Sequence, residues 1–253
     1  MECPIYAPSW EMEEIANELK KYNIQITALQ EVRWIKAKNY TLLCSGLKTS
    51  KGQHDTGFLI TGCATQWILG FEPITERMCK LRIKGKFYNM TIIIVYASTE
   101  DENKQNAEDV ERFYNKLPDV CDKTLRNGAL ILLGDFNAKI GKEHSNKRVA
   151  GRHTLHDITT ENGEKLVQLA IAHNLEISST KFQHRRIYKG TWRVPEQDIC
   201  NQRDHVPINK TRASTITDDR TLRGQNCESG HYLESTKIWQ RISKVEESDL
   251  ALF

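Results

Sequence analysis

Hydrophobic residues recur along this chain in two rhythms. Between Trp10 and Tyr22 the residues Met12, Ile15, Ala16, Leu19 and Tyr22 return every three or four positions, one stripe of an amphipathic helix. Ser9 stands before it as an N-cap, and acids fill its first turn. The next stretch, IQITALQEV, alternates with a period of two, setting Ile24, Ile26, Ala28 and Gln30 on one face and Thr27, Leu29 and Glu31 on the other. Glu31 therefore closes a strand. YTLLCSG, TGFLIT, TQWILG, MCKLRIKG and KFYNMTIIIVYAS are further strand-like runs, the last two joined through Gly85 as a hairpin. NAEDVERFYNKL predicts a second helix, and ENGEKLVQLAIAHN a third, closed by Asn174. Between these helices lies LILLGDFNAKIG, an apolar run bounded by glycines and too short for a helix. As a strand it carries Asp135 and Asn137 at its end on a shared face, with Phe136 turned away. From Leu175 to Gln240 the pattern predicts short strands separated by turns, and ISKVEESDLALF reads as a frayed helix or a truncated connection.

At 253 residues, 39% of them hydrophobic, the chain suffices for one large domain, expected over 1–240 with 241–253 as a tail. A net charge of +3 permits an anionic partner without requiring one. The seven cysteines are scattered and form no CxxC pair, which argues against a zinc knuckle or a disulfide framework and for a reducing, nuclear or cytoplasmic setting. No run has the length and apolarity of a membrane span, so the expectation is a soluble monomer.

The residues able to carry chemistry gather at strand ends: Glu31, Tyr96, Asp135 with Asn137, Asp204 and His231. Carboxylates and an amide from separate strands form an oxygen-rich donor set suited to Mg²⁺, and a histidine with its own aspartate suits proton transfer or charge stabilisation. The plainer alternatives are that Asp135 and Asn137 are turn formers and that Asp204 and His231 are a structural hydrogen-bonded pair. KFQHRRIYKGTWR interleaves Lys181, Arg185, Arg186, Lys189 and Arg193 with Phe182, Tyr188 and Trp192. Cations neutralise phosphates and aromatics stack on bases, so this segment suits nucleic acid; its alternative is a solvated charged hairpin over buried aromatics.

ALQEVRW, VYAST, LLGDFNAKIG, GTWR, NQRDH and SGHYL occur in an order that resembles the endonuclease/exonuclease/phosphatase superfamily. More narrowly, it resembles the apurinic-type endonuclease domain of non-LTR retrotransposons and host proteins derived from it. The resemblance implies an α/β (α+β) fold, a four-layer sandwich of two mixed β-sheets with outer helices. It implies hydrolysis of a DNA phosphodiester with Mg²⁺, or Mn²⁺ in its place. Carried over by motif, Glu31 is the metal ligand, Asp135 and Asn137 position the attacking water and the scissile phosphate, and Tyr96 contacts the phosphate. Asp204 orients His231, which stabilises charge on the phosphoryl oxygens. The chain departs from the pattern twice. The first strand, with its metal-site asparagine, is expected to be missing, and Gly230 stands where the family has an aspartate. A DNA endonuclease of retrotransposon descent, impaired in this copy, and a non-catalytic remnant that binds nucleic acid or protein both stay open.

Overall fold

The computed structural model describes residues 9–30, 40–45, 55–100, 107–124, 128–194, 196–197, 199–224 and 230–240. Helix α1 (Ser9–Lys21) leads into β1 (Ile26–Leu29), β2 (Tyr40–Cys44) and β3 (Gly57–Thr61), a small antiparallel sheet with β3 in the middle. Next come β4 (Ile68–Thr75), β5 (Met78–Ile83), β6 (Met90–Tyr96), α2 (Ala107–Thr124), β7 (Ala129–Asp135), α3 (Glu161–Ala172) and β8 (Leu175–Ile177). The last third holds short strands, β9 (Trp192–Arg193), β10 (Cys200–Asn201), β11 (Asp204–His205) and β12 (Pro207–Asn209), then the longer hairpin of β13 (Ile216–Leu222) and β14 (Leu233–Ile238). The large sheet runs β4-β5-β6-β7-β12-β8, with β11 also paired to β7. It is mixed, because β6 and β7 are parallel and joined across α2.

Strand alternation builds the layers. Met78, Ile93, Val95, Leu130 and Leu132 meet Phe113 and Leu117 of α2 and Leu166 and Ala170 of α3. The intervening residues Cys79, Leu81, Ile92 and Ile94 pack against Phe58 and Ile60 of the small sheet. Leu59 points the other way, onto Leu19 of α1. The order is helix, sheet, sheet, helices, which is the expected sandwich. Since both its faces are covered, the β6–β7 pair is apolar almost throughout.

The elements depart from the sequence pattern in two places. TQWILG is not one strand: Gly62–Trp67 forms a 3₁₀ turn, and β4 then runs on through Pro73. Pro73 is tolerated because β4 is an edge strand, where a missing N–H costs no ladder bond on the open side. Helix α2 does not stop at Leu117 but continues past Pro118 to Thr124. Burial of Leu117, Val120 and Cys121 in the core outweighs the hydrogen bond that proline removes. The expected hairpin holds, with Met78 opposite Val95 and Ile83 opposite Met90. Glu31, the expected absent first strand before α1, and the tail from Arg241 lie outside the described residues.

One glycine fixes how the parallel strands meet. Gly134 has φ +135°, and a Cβ there would stand 2.0 Å from the Val95 carbonyl oxygen and 3.0 Å from Gln30 Nε2. Replacement therefore forces both a disfavoured backbone angle and a clash with main chain. Gly134→Ala is expected to destabilise the fold by about 3 kcal/mol or more, read as a lowered urea midpoint. A midpoint unchanged from the parent would contradict this account of the strand junction.

Candidate active site

The C-terminal ends of β6 and β7 stop side by side. Tyr96 pairs with Asp135, and the Ala97 N–H donates to the Asp135 carbonyl oxygen at 2.8 Å. On the other side β11 sets Asp204 opposite Asp135 and His205 opposite Gly134. His231 arrives from the start of the β14 segment, bridged to Trp192 of β9. Three pairings thus bring Tyr96, Asp135, Asp204 and His231 to one edge.

Asp135 and Asn137 come together, though not by strand pleating. Asn137 is left-handed, at φ 47°, and its N–H donates to Asp135 Oδ1 at 2.8 Å. The chain leaves the strand at Asp135 and closes an Asx turn, which replaces the shared face expected from the two-residue period. The Asn137 side chain then donates from Nδ2 to the Ala97 carbonyl at 2.8 Å and accepts at Oδ1 from Arg203 Nη1 at 3.2 Å. Those partners fix the amide orientation, because a carbonyl only accepts and a guanidinium only donates.

His231 is held between two acids. Its Nδ1 is 3.0 Å from Asp204 Oδ2, and its Nε2 is 3.6 Å from Asp135 Oδ2. Burial alone would lower the imidazole, but the charge of Asp204, its hydrogen bond and Asp135 together raise it to about 9. Burial would likewise raise Asp204. The His231 charge and hydrogen bonds from His231 and Thr191 outweigh it and hold Asp204 below its ordinary value. Asp135 goes the other way: burial and the neighbouring Asp204 push its carboxyl up to about 7, against the pull of His231, the Asn137 N–H and Arg203. Asp135, Asp204 and His231 offer ligand-type atoms all within 4.8 Å of one another, a group that could hold a metal ion.

Some residues of this edge were legible only in part. Thr191 Oγ1 accepts from the N–H groups of Arg203 and Asp204, at 2.9 and 3.1 Å, and so fixes the strand that carries Asp204. Arg203 lies with its guanidinium carbon 3.8 Å from the Trp192 ring centroid. GTWR and NQRDH are visible motifs, but nothing in their spacing says that Arg203 would settle on Trp192. Trp192 accordingly has one face covered. In the rest of the basic segment Lys181 pairs with Glu176, Arg185, Arg186 and Arg193 are exposed, and Lys189 is half-buried. The Tyr96 ring lies under Arg77, 5.3 Å from its guanidinium carbon. Residues 186–188 form a 3₁₀ turn rather than a hairpin strand.

No protein-family model matches the chain. Craniofacial development protein 2 of Bos taurus is 27% identical over 245 residues, covering 94% of this chain and 40% of that protein. The Tragulus javanicus protein is also 27% identical, over 94% of this chain and 41% of its own length. The chain is homologous to craniofacial development protein 2. It spans about two fifths of the length of these relatives. Among solved structures, a 3′ phosphatase from Neisseria, NExo, bound to a product DNA hairpin superposes with a TM-score of 0.66 at 17% identity, covering 91% of this chain and 95% of that one. The endonuclease domain of TRAS1, a telomere-specific non-LTR retrotransposon, gives 0.61 at 15% identity, covering 92% and 94%. The catalytic domain of Xenopus laevis APE2 gives 0.65 at 13% identity, covering 92% and 91%. The endonuclease/exonuclease/phosphatase fold is therefore shared with nucleases that process DNA, and the sequence resemblance and the architecture agree.

The histidine next to Asp204 has a different part. His205 is fully buried, with Nε2–H donating to the Ala138 carbonyl at 3.0 Å and Nδ1 accepting from Ser179 Oγ at 2.9 Å. Burial drives its pKa down to about 4, against the Ala138 bond and Asp204, so it folds neutral. In the unfolded chain it protonates near 6.5, so its contribution to stability is complete above that pH and is lost as pH falls from about 6.5 to about 4. The loss expected from His205 is on the order of 3 kcal/mol across that window. Urea midpoints between pH 7 and pH 4.5 should fall more steeply for the parent than for His205→Gln. Equal slopes would show that His205 takes a proton freely in the folded protein.

Proposed function

We propose that this chain is a divalent-metal-dependent phosphodiesterase that acts on DNA as an endonuclease. The observation that carries the proposal is the His231 imidazole, 3.0 Å from Asp204 and 3.6 Å from Asp135, at an edge where Asp135 and Asn137 are joined by a turn. Homology to craniofacial development protein 2 and the fold held in common with DNA-processing nucleases support the same reading. Mg²⁺ is the ion we assign, with Asp135 and Glu31 as its carboxylate ligands; when bound it neutralises charge on the phosphoryl oxygens.

The chain's own residues supply the rest. Asp135, buried at the tip of β7 opposite Asp204, orients the attacking water. Asn137, fixed by Ala97 and Arg203, positions water and phosphate beside it. His231 is cationic at neutral pH and stabilises negative charge on the phosphoryl oxygens as the transition state forms. Asp204 keeps that imidazole charged and aimed. Tyr96, at the end of β6, contacts the phosphate, and Arg185, Arg186, Lys189 and Arg193 neutralise flanking phosphates. The arrangement does not favour the alternative of a non-catalytic remnant. The protein acts as a monomer in the nucleus or cytoplasm.

Gly230 tunes the rate. A Cβ there would sit 3.5 Å from Trp192 Nε1, ordinary contact, so a side chain fits without displacing the indole. An acid at that point restores a carboxylate next to His231.

With Mg²⁺ the chain is expected to nick supercoiled plasmid, and Asp135→Ala and His231→Ala are expected each to slow nicking by about 10² to 10⁴-fold. Parent and Asp135→Ala preparations that nick at the same rate would trace the activity to a contaminant and defeat the proposal. Gly230→Asp is expected to speed nicking by at least tenfold, since a positioned acid is worth about 10² or more. No change in that variant would mean that position 230 lies outside the rate-limiting chemistry.

A further inference from the structure

Arg203 has a surrounding that a merely structural arginine does not need. Its backbone is pinned on both sides, the N–H to Thr191 Oγ1 at 2.9 Å and the carbonyl to the Phe136 N–H at 3.3 Å. The side chain leaves this fixed point, lies over Trp192 at 3.8 Å and donates one N–H to Asn137 Oδ1 at 3.2 Å. Among the described residues no carboxylate forms a salt bridge with it. Its charge nevertheless reaches the reacting groups, pulling down both Asp135 and His231. A guanidinium presents five N–H donors in a planar fork that matches a phosphate, and only one of them is spent on Asn137. The stack on Trp192 holds the fork in place before substrate arrives, which lowers the ordering cost on binding.

We propose that Arg203 is a substrate-binding residue of this edge, gripping the phosphodiester through its guanidinium from the Trp192 side while His231 faces it from the Asp204 side. The proposal rests on the phosphodiesterase reading above and adds a residue to it. Trp192 then serves as the platform under the arginine on that face of its ring, rather than as a stacking surface for a base. Asn137, tied to the same guanidinium, moves with it, so one group sets the position of both phosphate and amide.

Two measurements on the full chain test this. Binding to a 20-base-pair duplex in EDTA, followed by fluorescence anisotropy over a range of salt, is expected to lose about 0.9 from the salt slope in Arg203→Gln and nothing in Arg203→Lys. Nicking of supercoiled plasmid at saturating concentration is expected to fall about 10²-fold in Arg203→Gln and at least tenfold in Arg203→Lys, because a point charge lacks the fork. The Arg185→Ala, Arg186→Ala double variant sets the scale of the slope, losing about 1.8 for two phosphate contacts. An arginine that only braces Trp192 would leave the slope of a folded Arg203→Gln unchanged, and that result overturns the proposal. If Arg203→Gln does not fold, Arg203→Lys decides: a parent-like saturated rate overturns the proposal, and a tenfold loss supports it. If the parent itself does not nick, the function proposed above fails, and the salt slope alone still tells whether Arg203 takes a phosphate.

Discussion

Everything at the candidate site hangs on the parallel registry of β6 and β7. The two strands end together, Tyr96 against Asp135, because Gly134 lets the backbones close to a distance that no Cβ would permit. From that junction the chain turns at Asn137, β11 adds on the other side, and Thr191 and Trp192 arrive together at the start of β9. The apolar faces of the pair are shared between two cores, so the strands cannot slide without exposing Ile92 and Ile94 on one side or Ile93 and Val95 on the other. A carboxylate at the tip of such a buried pair is dry on all sides but one. Its proton affinity is a consequence of where the strand stops.

What the sequence pattern revealed and what it hid divide along physical lines. Strand ends were legible because alternation stops at turn formers, and this placed Tyr96 and Asp135 at the ends of β6 and β7. The layers were legible too, since alternate apolar positions predict which face meets helices and which meets the other sheet. Hidden were the contacts made across the chain. Thr191 looks like any polar residue beside a glycine, yet two backbone N–H groups converge on its hydroxyl. Pro118 looks like a stop, yet core burial carries α2 past it. Asp135 and Asn137 were paired correctly for a wrong reason, since the pleat was expected and an Asx turn does the work.

The same edge keeps two histidines in opposite protonation states. His231 is half-exposed and flanked by carboxylates, and it holds its proton well above neutrality. His205 is adjacent to Asp204 in sequence but faces Ser179 and a carbonyl, and it sheds its proton well below neutrality. Asp204 lies between them and separates their roles: it pairs with the outer ring through its carboxylate and carries the inner one on its own backbone.

That placement turns β11 into a selector. Arg203, Asp204 and His205 are three consecutive residues with a cation, an anion and a neutral ring, and the two-residue ladder against β7 determines which of them meets His231. A slip by one position would offer His231 either a guanidinium or another imidazole, and the outer ring would lose its charge. The inner histidine, wedged between Ser179 and Ala138 behind Phe136, acts as a key that only one register admits. Fold selection and charge selection are then a single event, decided by a two-residue strand.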